Sequence, residues 1–222
     1  MLRDAWLVAG RDLRIEARSR VALWQVLPFA LLALVLFAFA LGPDRATLAS
    51  AAPGLFWVAV LFSGVLAVHR SVAIESGEGT RDGLRLSGLD PAGIFLGKAA
   101  AVALQLAALE VVLWLGMRVL FGVTIRAIWL AVAAAALATI GLAAAGVIYG
   151  ALSGGLRVRE TLLPLLVLPV VAPVLLAASR VWSAAAVGAV GAGESWLRIL
   201  GPFALVYLAV GVVVYGPLLE AG

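Results

Sequence analysis

The chain contains no cysteine, which excludes disulfides, cysteine-ligated zinc, iron–sulfur clusters and thiol catalysis. It has one histidine, His69, so a single copy can build neither a zinc site, a two-histidine haem clamp nor a Ser/His/Asp constellation. Charge is scarce as well: 13% of the 222 residues are charged, against about a quarter in an ordinary soluble domain. Lysine is nearly missing, the basic residues being fifteen arginines and Lys98. They cluster beside apolar runs, with no basic recognition helix, and this excludes a nucleic-acid partner. The segment Gly93-Ile94-Phe95-Leu96-Gly97-Lys98 fails as a phosphate loop. Three residues rather than four separate its glycines, Ala99 stands where Ser or Thr would hold magnesium, and an apolar helix surrounds it. No nucleotide site, no metal site and no enzymatic activity are expected of this chain.

What is abundant is apolar surface. At 64% hydrophobic residues, the chain has more than a soluble core of its length can hide, so its solvent is a bilayer. Six apolar segments are long enough to cross, at 21–41, 53–74, 94–117, 127–152, 161–178 and 199–219. In lipid every backbone polar group needs an internal partner, and no period-two alternation is present, so these are helices rather than barrel strands. The first run is longer than a signal-peptide core and is read as a retained span. With the N-terminus inside, 11 basic residues fall on the inner side and 5 on the outer, which places both termini in the cytoplasm.

The first twenty residues form a separate element. Leu2, Trp6, Ala9 and Leu13 recur at helical spacing, with Arg11, Arg14 and Arg18 on another face. Such a helix suits the headgroup plane of a bilayer; a plain basic anchor is the simpler alternative. The longest stretch outside the spans, 75–93, is expected on the cytoplasmic side. It is too small for a domain and suits a contact with a separate cytoplasmic protein, or is an ordinary connector. Asp90-Pro91 is a helix start, Asp supplying the cap and Pro suiting the first turn.

Within the spans, Gly146, Gly150 and Gly154 lie four apart, a stripe for close helix packing inside one chain or between two. Pro164, Pro169 and Pro173 interrupt the ladder of the fifth span, making it either a kinked structural helix or the lining of a substrate path. Glu110 is the one carboxylate well inside a span. An ionisable group there is a functional candidate by default, with pairing to Arg118 or Arg126 as the structural alternative.

Three stretches together carry a resemblance: RDLRIEARSR (Arg11–Arg20), RDGLRLSGLDPAGIFLGK (Arg81–Lys98) and GGLRVRETLLPLLVLPVVAPVLL (Gly154–Leu176). In order and spacing the chain resembles the CcmB family, the membrane subunits of the cytochrome c maturation haem exporter. The resemblance implies an all-α integral membrane fold: six transmembrane helices of the ABC-2 type exporter permease, preceded by an N-terminal amphipathic interfacial helix. It implies a separate CcmA-like cytoplasmic ATPase that binds the ATP, CcmC-like and CcmD-like membrane subunits and a CcmE-like periplasmic haem chaperone. It also implies a location in the bacterial inner membrane and a homodimer within the complex. Haem is the possible cargo of that complex; alternatively ATP hydrolysis releases the loaded chaperone. By analogy with the family, Glu75, Glu78, Arg81, Asp82, Leu84 and Leu86 form the surface that couples to the ATPase. The glycine-rich 76–83 is less acidic than the family pattern. A generic ABC-2 permease for a lipid, drug or polysaccharide, and a non-transporting scaffold, are the competing readings.

Overall fold

Lipid offers a backbone amide no partner, so each crossing segment has to satisfy its own hydrogen bonds. The computed structural model describes residues 1–20, 22–75, 88–153 and 159–221, and every regular element among them is helical. In chain order these are α1 (Leu2–Ser19), a short π-helical stretch (Ala22–Val26), α2 (Leu27–Ala40), α3 (Arg45–Glu75), α4 (Pro91–Phe121), α5 (Ile128–Ser153), α6 (Arg159–Val187) and α7 (Val190–Ala221). Five of them, α3 to α7, are long and apolar enough to cross a membrane. A sixth crossing exists only if α1 and α2, bent by 55° at their junction, count as one broken span.

Within the run expected to cross at 21–41, the π-helical stretch passes directly into α2, so the described residues are helical from Ala22 to Ala40 and the bend lies before them. Pro28 lies in the first turn of α2, where its missing N–H breaks no bond but also cannot extend a ladder from upstream. Arg20, at the end of α1, adopts a left-handed φ of 52°, uncommon for a residue with a Cβ.

The bundle is built around α5, which packs on α3, α4, α6 and α7. Its buried positions are mostly alanine and glycine: Ala131, Ala134, Ala138, Ala143, Ala144 and Ala145 with Gly141, Gly146 and Gly150. Small side chains let backbones approach, and in lipid this close packing replaces the hydrophobic effect as the force between helices. Outward faces are apolar too, with Phe29, Leu32 and Phe39 of α2 and Leu205 and Val213 of α7 exposed, as lipid contact requires. Short ties set the helix ends. Asp44 caps α3, accepting from the Thr47 N–H (2.9 Å). Arg126 and Ala127 N–H both donate to the Ala185 carbonyl at 3.0 Å, joining the α4–α5 turn to the end of α6. Gly188, at φ 79°, lets α7 turn back at once from α6.

Candidate functional site at the junction of α1 and α4

The first turns of α4 are held from two sides. Asp90 caps the helix, its Oδ1 accepting from the Ala92 N–H at 3.1 Å, and Pro91 follows it, as the sequence anticipates. On one side lies α1, which packs on α4 more extensively than on any other element. A Cβ placed on Gly93 would stand 2.9 Å from both the Met1 carbonyl oxygen and the Asp4 Cβ. One placed on Gly97 would stand 2.6 Å from the Ala5 carbonyl oxygen and 2.7 Å from the Val8 Cβ. The two glycines, four residues apart, thus form a groove that takes the backbone of α1 itself. On the other side α7 closes in. Gly211 has no room for a Cβ beneath the Phe95 ring, and Phe95, fully buried, lies 5.7 Å from the Tyr215 ring. The motif that fails as a phosphate loop is a helix-packing seat.

Charged groups fasten the same junction. Lys98, 3% exposed, places its Nζ 3.9 Å from Asp12 of α1. Asp12 also receives Arg11 Nη2 at 2.9 Å. Glu16, one turn on, pairs with Arg70 of α3 at 3.1 Å. The backbone N–H of Asp90 reaches the Asp4 carboxylate at 3.4 Å. A cleft between α1, α3 and α4 is lined by Arg11, Asp12, Glu16, Arg70, Ser71 and Gln105. Burial in weakly polar surroundings strengthens such pairs and penalises the loss of either partner.

This arrangement changes the reading of α1. Ala9, grouped by spacing with Leu2, Trp6 and Leu13, is buried, as is Val8. Leu2 and Trp6 stay exposed, as do Arg3, Arg14 and Arg18. The helix therefore has a face taken up by α4 and a second, basic and apolar, that is open.

The remaining sequence candidates lie elsewhere. Glu78, Arg81, Asp82, Leu84, Leu86 and Gly154 fall outside the described residues, and Glu75 is the last residue of α3. Gly146 packs within the chain, a Cβ there standing 2.6 Å from Val68 Cγ2 of α3; Gly150 is buried. Pro164, Pro169 and Pro173 sit within a helix that continues through all three. Pro169 and Pro173 are on its exposed face, opposite the buried Val167, Val171 and Val174. Glu110 pairs with neither arginine. Buried at 7% exposure, it accepts a hydrogen bond from the hydroxyl of Thr139 on α5, while Arg118 lies over the Trp114 ring at 5.3 Å. His69 is half-buried near the end of α3, beside Arg70.

Sequence reasoning missed an aromatic cluster toward the opposite end of the bundle. Phe56 stacks on Trp182 at 4.1 Å, Trp57 meets both rings edge-on, and Trp182 Nε1 donates to the Ala131 carbonyl at 3.1 Å. The adjacent Phe56-Trp57 pair is visible in the sequence, but nothing in it reveals that α6 supplies the third ring.

The family model described as "CcmB protein" matches residues 3–220. The chain belongs to the CcmB family. It is 33% identical over 210 residues to Heme exporter protein B of Haemophilus influenzae, covering 95% of this chain and 92% of that one. The protein of the same name from Paracoccus denitrificans is 33% identical over 187 residues, 81% of this chain and 82% of that one. The one from Pseudomonas aeruginosa is 30% identical over 200 residues, 90% of each chain. The match takes in the α1–α4 junction from Arg3 onward. This CcmB-family chain is thus a multi-pass helical membrane protein whose first helix is seated on its fourth.

Proposed function

We propose that the chain is the permease subunit of an ABC-type haem exporter that serves cytochrome c maturation. The observation that carries this reading is the end-to-end family match, residues 3–220, to proteins named Heme exporter protein B. Five helices long and apolar enough to cross a membrane, with a sixth if α1 and α2 count as one broken span, support it.

In this reading the fold is of the ABC-2 type, both termini face the cytoplasm of a bacterial inner-membrane protein, and ATP is bound by a separate CcmA-like subunit. The segment 75–93, with Glu75, Glu78, Arg81, Asp82, Leu84 and Leu86, receives that subunit. It enters α4 directly at Asp90-Pro91. Nucleotide-driven closure of the ATPase then shifts the population between two packings of the helices. CcmC-like and CcmD-like subunits, a CcmE-like chaperone and a second copy of this chain complete the assembly. Haem crosses it as cargo, or the stroke releases the haem-loaded chaperone; the chain itself acts as a moving part and not as an enzyme.

The test is deletion and complementation. Loss of the chain should abolish assembly of c-type cytochromes, and the wild-type chain should restore it only beside a hydrolysis-competent ATPase that co-purifies with it. Normal cytochrome assembly without the chain, or with a hydrolysis-dead partner, would refute the reading. A chain that retains cytochrome assembly but exports a lipid or drug analogue would favour the generic permease.

A further inference from the structure

We propose that the end of the bundle opposite α1 holds one molecule of an anionic phospholipid, with its phosphate on Arg118 and the upper part of an acyl chain in the crevice beside Trp114. The proposal needs only that the chain spans a bilayer, so it stands or falls apart from the exporter reading.

Ion pairing divides the molecule. Beside α1 the cations meet carboxylates of the chain itself: Arg11 and Lys98 at Asp12, Arg70 at Glu16. At the other end the start of α3, the α4–α5 turn and the end of α6 come together, and there Arg45, Arg118, Arg126 and Arg180 are all exposed. The carboxylates of that end are Asp44, turned to capping α3, and Glu194 of α7. Among the described residues neither forms an ion pair with any of the four arginines. Their countercharge comes from outside the chain, and surplus arginine at a membrane surface attracts anionic headgroups.

Arg118 is placed for a lipid. It continues the stripe of Leu104, Val111 and Leu115, all exposed, with the exposed Val119 beside it, so this face of α4 is turned to hydrocarbon. The helix Pro91–Phe121 rises about 46 Å, and a bilayer with its headgroups measures about 40–45 Å. Arg118, in the last turn, therefore stands at headgroup depth, and Trp114, one turn deeper, at the top of the acyl chains. The guanidinium lies over the Trp114 ring at 5.3 Å and has no hydrogen-bond acceptor among the described residues, which leaves its fork of N–H groups for a phosphate. Beside it opens a crevice of about 290 Å³, measured out to its mouth, walled by Pro53, Trp114, Met117, Ile125 and Trp182. Trp182 is fixed by its stack on Phe56 and its hydrogen bond to the Ala131 carbonyl, so that wall is preformed. Aromatic and thioether walls with one guanidinium at the mouth suit an amphiphile with an anionic head. An acidic protein docking from the aqueous side meets the arginines but not a crevice at acyl depth, and this favours the lipid.

Native mass spectrometry of the purified full-length chain tests the site, with phosphatidylglycerol and phosphatidylcholine of the same acyl chains supplied in equal amounts. The wild-type chain should retain one phosphatidylglycerol in preference to phosphatidylcholine. Arg118→Gln should lower that preference on the order of tenfold, as loss of a charge-assisted hydrogen-bonded pair does. Arg118→Lys should recover part of it, because the charge stays while the fork is lost. Arg118 pairs with no acid of the chain, so Arg118→Gln should move Tm in lipid-free detergent by only a few degrees, which separates loss of the site from loss of the fold. Equal retention of both lipids by the wild type, or a preference untouched by Arg118→Gln, would overturn the proposal. Displacement of phosphatidylglycerol by excess inorganic phosphate, beyond the effect of sodium chloride at equal ionic strength, would mark a free-anion site and overturn it too. If the wild type shows no lipid preference and Arg118→Gln instead releases a protein subunit from the assembled complex, the surface belongs to an acidic protein and the lipid assignment fails.

Discussion

Replacing glycine by alanine within a helix stabilises it by roughly 1 kcal/mol, provided the added methyl finds space. The structure grades three glycines by what that methyl would meet. At Gly54 the nearest atom is Ser179 Oγ at 4.0 Å, an ordinary contact. Gly54→Ala should therefore keep the propensity gain and be neutral or stabilising by up to about 1 kcal/mol. At Gly146 the nearest atom is a valine methyl, Val68 Cγ2 at 2.6 Å, and a modest rotation of that side chain relieves the clash. Overpacking typically costs about 1–3 kcal/mol, and the lower part of that range roughly cancels the helix gain. At Gly97 the obstacle is a carbonyl oxygen at 2.6 Å and a Cβ at 2.7 Å. These move only if α1 moves, so the upper part of the range applies, a net loss of about 2 kcal/mol. At this chain length each kcal/mol corresponds to about 2–4 °C of Tm. Thermal unfolding of the detergent-solubilised chain should rank Gly54→Ala above Gly146→Ala above Gly97→Ala, with about 4–8 °C between wild type and the last. Equal shifts in all three, or a Gly97→Ala as stable as Gly54→Ala, would refute the reasoning, because it would mean that α1 is not seated in that groove.

Thr139→Val leaves the buried Glu110 carboxyl without its hydroxyl partner and should destabilise by about 1–3 kcal/mol, whereas Glu110→Gln keeps an acceptor for Thr139 and should cost less; paired Tm measurements check the order. Glu16 and Arg70, both partly buried, should show a coupling energy of about 1 kcal/mol in a double-mutant cycle, and no coupling would remove α3 from the α1 junction. Trp182→Phe should lose about 0.5–1.5 kcal/mol for the hydrogen bond to Ala131 while keeping the stack on Phe56, read as a drop in Tm. Asp44 is held below the usual carboxylate range by the Thr47 hydroxyl and then by the N–H groups of Thr47 and Ala46. Its capping contribution is present above the ordinary carboxylate pKa and is lost as pH falls through the lowered one. Protection of the Ala46 and Thr47 amides, taken relative to their intrinsic exchange rate at each pH, should therefore fall only in acid, and Asp44→Asn should flatten that dependence.

How much of the site the sequence disclosed differs from residue to residue. Asp90-Pro91 was legible as a helix start because capping chemistry is local, and the structure has it there. The stripe at Gly146 was legible as a packing surface, but not its partner: small residues state that something comes close, and only the fold states that it is Val68. Gly93 and Gly97 were noticed for the wrong reason, as a defective phosphate loop, because glycine spacing alone does not distinguish a turn that cradles an anion from a helix face that admits a backbone. Glu110 was legible only as a carboxylate inside a span. The arginines offered for it lie nearby along the chain, but Thr139 is nearby in space. For α1, spacing found an amphipathic helix yet put Ala9 on the apolar lipid face, since a buried face and a lipid face are equally apolar.

The sequence by itself determined that this chain lives in a membrane and crosses it as helices, that it carries no thiol chemistry, and to which family it belongs. Those follow from composition, the length of the apolar runs and the order of a few short stretches, none of which depends on which helix lies beside which. Only the tertiary structure decided that α1 rests on α4, that α7 closes over Phe95 and that Thr139 serves Glu110. In lipid the hydrophobic effect does not select among helix pairings, because every face is equally content with hydrocarbon. The choice is left to close-range shape and a few polar contacts, and those exist only once the helices are in place.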